Sequence, residues 1–188
     1  MKINNLQITS ASALDFDLAI TAPICILRGH YSDLVLDLTR ELIGDYGAQN
    51  DPDRVDDGRF VIHADIEMDN KNYRVCYIRN ADFMGDNRLA ANFEPNSVHF
   101  SEDYTREFAD KCNERDTDDS NVLIKTANIT SRDGDRPIFI YSYFDRLDEA
   151  IDITLILDKL ASLSRQVFIS VCSGYPEIKH EKVQMVRI

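Results

Sequence analysis

The chain has 188 residues, 44% of them hydrophobic, which suffices for one folded domain of ordinary size and excludes a mainly disordered chain. Acidic residues outnumber basic ones 33 to 21, and a net charge of −12 repels phosphate backbones unless the bases cluster. No run approaches the roughly 18 apolar residues that a membrane helix needs, and the opening MKINNLQITS lacks the apolar core of a secretion signal. Cys25, Cys76, Cys112 and Cys172 form no CxxC pair, and three of them sit in apolar runs. They read as free thiols, so a cytoplasmic protein with no membrane association is expected.

In chain order, Ile3, Leu6 and Ile8, then Leu14, Phe16, Leu18 and Ile20, predict two strands with a turn at Ser10–Ser12. Pro23 precedes the dense run Ile24–Leu27, a strand buried on both faces. A polar loop, Arg28-Gly29-His30-Tyr31-Ser32-Asp33, leads to Leu34, Val35, Leu38, Leu42 and Ile43 at helical spacing, with Ser32 or Asp33 as the cap. Residues 45–58 form an acidic, turn-rich loop. Strands are expected over Arg59–Met68 and Asn72–Arg79, joined by a turn at Asp69–Lys71. Strand-like pieces fall within 80–100, and Tyr104, Phe108 and Cys112 predict a helix to about Asn113.

The last third holds a buried strand at Pro137–Tyr141 and a helix with Leu147, Ile151, Leu155, Leu160 and Leu163 on one face. A second buried strand at Gln166–Val171 and an edge strand at Lys182–Ile188 follow. Strand, helix, strand at this end argues for an α/β core with parallel neighbours.

The element order resembles the ABC-type ATPase heads of the SMC and RecF-like kind. The opening MKINNLQITSASALDFDLAITAPICILRG is similar to the start of those heads, where two antiparallel strands precede the strand that runs into the phosphate loop. The segment RPIFIYSYFDRLDEAIDITLILDKLASLSRQVFISV resembles their second catalytic block, most closely at Phe144–Asp148 and Gln166–Ile169. The resemblance implies an α/β, P-loop NTPase-like domain spanning 1–188. It would have a mixed sheet, flanking helices and an antiparallel β insert at about 59–100.

The catalytic residues of that family do not carry over. A working loop, GxxxxGK[ST], uses glycines to bring amides to the phosphates, a lysine to neutralise charge and a hydroxyl to hold Mg²⁺. Laid on this chain it begins at Gly29, and its second glycine, lysine and hydroxyl fall on Leu34, Val35 and Leu36. The paired acids at the end of the second core strand fall on Tyr141 and Ser142, the switch histidine falls on Val171, and no serine-glycine-glycine signature precedes Pro137.

The remaining candidates are sparse. Arg28, Gly29, His30, Tyr31 and Ser32 stand where the phosphate loop stood and could attract an anion, or form a plain loop in which Arg28 pairs with an acid. Asp145 and Asp148 could hold a metal or a partner's base, or cap and support a helix. His63, His99 and His180 are scattered singly, so no metal site is expected. Ser170, Cys172 and Ser173 lack a nucleophile elbow. Asp110–Asp119 reads as a solvated face, and the scattered Arg74, Arg79 and Arg88 form no nucleic-acid patch.

The resulting expectation is a non-hydrolytic pseudo-ATPase without cofactor, acting as a regulator or scaffold through a protein partner or as a homodimer. The contact face would carry Arg28–Tyr31, Tyr141, Tyr143, Asp145 and Asp148. The alternative is a nucleotide- or anion-binding protein with a non-standard loop and weak NTPase activity.

Overall fold

A computed structural model describes residues 1–10, 15–43, 59–80, 88–92, 136–141 and 154–188. Nine strands and two helices lie among the described residues: β1 (Lys2–Ser10), β2 (Asp15–Ala19), β3 (Ile24–Arg28), α1 (Ser32–Leu42), β4 (Arg59–Met68), β5 (Lys71–Asn80), β6 (Arg88–Asn92), β7 (Ile138–Tyr141), α2 (Thr154–Ala161), β8 (Val167–Val171) and β9 (Val183–Arg187). The protein is α/β with two sheets. The chain divides into two compact units, Met1–Ile20 with Leu38–Thr117 and Thr21–Asp37 with Asp118–Ile188.

The first unit is built on a five-stranded antiparallel sheet of order β2-β1-β4-β5-β6. Alternation along β1, β4 and β5 sends Leu6, Ile8, Ile62, Ala64, Ile66, Tyr73 and Val75 into the core. The β4–β5 hairpin turns on Asp69 and Asn70, at φ 52° and 61°. Positive φ at both central residues matches the twist of the flanking strands, and Asp and Asn tolerate it best after glycine. The hairpin expected from sequence therefore forms, and it pairs through β4 with the N-terminal strand β1.

The second unit holds a four-stranded sheet of order β7-β8-β3-β9 in which every pair is parallel. Among the described residues the expected mixed core sheet is all parallel, and the antiparallel element expected at about 59–100 belongs to a second sheet that also takes in β1 and β2. The reason lies in the burial of the strands. β3 and β8 are apolar on both faces, which suits a covered parallel sheet, whereas β2 alternates exposed and buried residues, which suits an antiparallel one.

One face of the parallel sheet packs Ile24, Ile26, Ile140, Val167 and Ile169 with Leu157 and Leu160 of α2. On the other face the rings of Phe139 and Phe168 stack with centroids 5.5 Å apart. The α2 ridge is Leu157 and Leu160, three residues apart on one helical face. Leu163 falls beyond the helix end, in the bend that leads to β8. The expected start of that helix at Leu147 and the helix over 101–113 lie outside the described residues.

Cys25, in the middle of β3, is fully buried, and burial pushes its thiol from about 9 up to about 12. The native state keeps this thiol neutral while the unfolded chain ionises above pH 9. The stability it contributes is therefore complete below pH 9 and is lost as pH rises from about 9 towards about 12. Denaturation midpoints measured across that window should fall less steeply for Cys25→Ala than for wild type. Equal slopes would show that Cys25 is not shielded.

Candidate functional site

The site suggested by the sequence is the turn from β3 into α1, at the C-terminal edge of the parallel sheet, where α/β folds gather ligands. Its geometry follows from the early start of α1. The carbonyl of Tyr31 accepts the amide of Val35 at 2.9 Å, so Tyr31 is the N-cap and Ser32 the first helical residue. The expected cap at Ser32 or Asp33 is displaced because the Ser32 hydroxyl is engaged elsewhere. It is buried and shares its proton between the carbonyls of Gly29, at 2.9 Å, and Val171, at 3.1 Å. Asp33 lies in the first turn, where its charge suits the helix dipole.

Only Gly29, His30 and Tyr31 separate β3 from α1. The positions where a phosphate loop would need its lysine and hydroxyl, Val35 and Leu36, are inside the helix and fully buried, and Leu34 is half-buried. An amide that would face a phosphate is also committed: Gly29 N–H donates to the carbonyl of Val171 at 3.1 Å.

Gly29 itself is held at φ +147°. A Cβ there would stand 1.8 Å from the backbone carbonyl oxygen of Ile188. That carbonyl arrives because the chain leaving β9 remains bonded to β3, with Ile188 N–H donating to Arg28 O at 2.8 Å. The turn is thus roofed by the protein's own backbone, and the roofing group is a carbonyl oxygen, whose partial negative charge opposes an anion.

Arg28 does not project freely towards this turn. Its Nε donates to the carbonyl of Ser173 at 2.9 Å, which ties the end of β3 to the turn after β8. It therefore pairs with a backbone carbonyl rather than with an acid. His30 is exposed, and its ring meets that of Tyr31 edge-on at 5.1 Å. At the end of β7, the Tyr141 hydroxyl donates to the buried Asp37 of α1 at 2.6 Å. The Tyr141 phenol thus secures α1 to the end of β7.

Tyr31 and Tyr141 are half-buried. Ser142, Tyr143, Asp145 and Asp148 lie outside the described residues, as does His99.

No nucleophile–base pair occurs among these described loop residues, since the Ser32 hydroxyl donates to two carbonyls and meets no imidazole or carboxylate. Among the described residues no group of three or more His, Cys, Asp or Glu side chains converges to hold a metal. The other singled-out histidines serve elsewhere. His180 Nε2 lies 3.3 Å from Asp158. His63 is cross-strand from Cys76 on the antiparallel sheet, where burial and then the Arg74 charge lower its pKa against the opposing effect of Asp65.

No protein-family model matches the chain. No curated protein matches it either.

Sequence reasoning missed three participants: the carbonyls of Val171, Ser173 and Ile188. They act through backbone atoms, which every residue type carries, so no side-chain pattern announces them. Gly29 was the one available signal, because a glycine ahead of a helix marks a place where backbone approaches closely. No helix among the described residues is long and apolar enough to cross a membrane.

Proposed function

We propose that this chain is a non-hydrolytic relative of the ABC-type heads of the SMC and RecF-like kind, acting as a regulator or scaffold through protein contacts. The observation that carries the reading is the roofed turn. The Ile188 carbonyl stands where a Cβ of residue 29 would be, while Val35 and Leu36 are buried in α1. A nucleotide would have to displace a strand end and would then meet no lysine, and the preorganised charge that drives phosphoryl transfer is missing from those positions. The parallel core, with a helix entered directly from β3, supports the choice of ancestor.

With that chemistry removed, function falls to a surface, and the cytoplasm is the compartment in which its free thiols would persist. The edge carrying Arg28, His30, Tyr31 and Tyr141 offers arginine and tyrosine, the usual anchors of interfaces. A net charge of −12 favours a basic protein surface or a second copy over nucleic acid.

Sedimentation velocity over a concentration series, with wild type and with Tyr31→Ala plus Arg28→Glu, tests the contact. The expected result is a wild-type dimer, or a co-purifying protein, that the double variant loses. A wild type that sediments alone as a monomer, or a variant that associates like wild type, would remove this face from the account.

A further inference from the structure

We propose that Arg136, at the opposite edge of the parallel sheet from the β3–α1 turn, anchors a site for a small oxyanion such as phosphate or sulfate. Arg136 lies two residues ahead of β7 and is only 7% exposed. Its Nε and Nη2 are both shut off from solvent, and neither has a hydrogen-bond acceptor. These two nitrogens lie along one edge of the guanidinium, the edge that grips two oxygens of a single anion in a fork. Among the described residues no carboxylate is paired with it, although the chain as a whole carries an excess of acids. A buried cation with unmet donors is strongly unfavourable, and an anion bridging both donors removes the cost.

The surroundings fix the group in place. Arg165 Nε donates to the carbonyl of Arg136 at 2.7 Å, Ile138 N–H to Gln166 O at 2.9 Å, and Val167 N–H to Pro23 O at 2.8 Å. The backbone at the root of the Arg136 side chain is therefore anchored. This site shares no residue with the β3–α1 turn and does not depend on the reading of that turn.

Isothermal titration of the full chain with sodium phosphate, and separately with sodium sulfate, tests it, with ionic strength held constant by sodium chloride. The expected result is one saturable site per chain for both anions. Arg136→Lys keeps the charge and loses the fork, so it should weaken binding about tenfold or more. Absence of saturable heat in wild type would overturn the proposal, and this arm decides the matter even if a variant fails to fold. Binding to Arg136→Lys as tight as to wild type would overturn it equally.

Discussion

Replacing Gly29 with alanine is expected to destabilise the unit containing the parallel sheet by about 3 kcal/mol, the upper end for a residue forced into a disfavoured backbone region. Two effects act together. The φ of +147° is a conformation that side chains rarely adopt, and a Cβ would meet the Ile188 carbonyl oxygen at 1.8 Å. The obstacle is backbone, so it cannot rotate away as a side chain would. Relief requires β9 to leave β3, with loss of the Ile188–Arg28 hydrogen bond, or Gly29 to leave the Val171 carbonyl. For a chain of this length such a loss corresponds to a fall of about 6–12 °C in melting temperature. His30→Ala, at the neighbouring exposed position, should stay within about 0.5 kcal/mol of wild type. Equal melting of the two variants would show that Gly29 is not under the strand end.

Glu41→Ala is expected to destabilise the unit containing the antiparallel sheet by about 2–4 kcal/mol. The Glu41 side chain is 1% exposed and lies 3.6 Å from Arg79 Nε. It also accepts the Tyr77 hydroxyl at 3.2 Å. Truncation removes an acceptor from the phenol and a counter-charge from the arginine, while both groups stay where they are. The effect falls below that of a fully buried ion pair because Arg79, at 16% exposure, still reaches water. Glu41→Gln retains an acceptor for Tyr77 and loses only the charge, so it should cost about 1 kcal/mol. Urea denaturation of both variants checks the order, and a glutamine variant as unstable as the alanine variant would contradict it.

Both effects bear on what could be read from the sequence. Runs such as Ile24–Leu27 and Val167–Val171 announce buried strands because they are short, rich in β-branched residues and apolar on both faces. The β4–β5 hairpin is equally legible, since Asp69 and Asn70 are among the few residues that accept positive φ. The membership of β1 and β2 in the antiparallel sheet was not legible, because pairing between β1 and β4 joins residues fifty or more positions apart, and no local pattern records it.

The polar residues of α1 carry no sequence signal of their burial. Asp37, Arg40 and Glu41 stand among Leu38 and Leu42, and all three are buried. Asp37 and Glu41 are satisfied by hydroxyls of Tyr141 and Tyr77, tyrosines whose sequence positions give no hint of that pairing. At the candidate site, loss of the loop lysine was plain from Val35. The closure of the turn by Ile188 was not, because a carbonyl contact has no residue signature.

The central claim is that the turn after β3 is closed to phosphate by the chain itself. Isothermal titration of the full chain with ATP in the presence of Mg²⁺ measures this directly. The account predicts no saturable heat at millimolar nucleotide. One site per chain that needs Mg²⁺ and is lost in Arg28→Ala would contradict it.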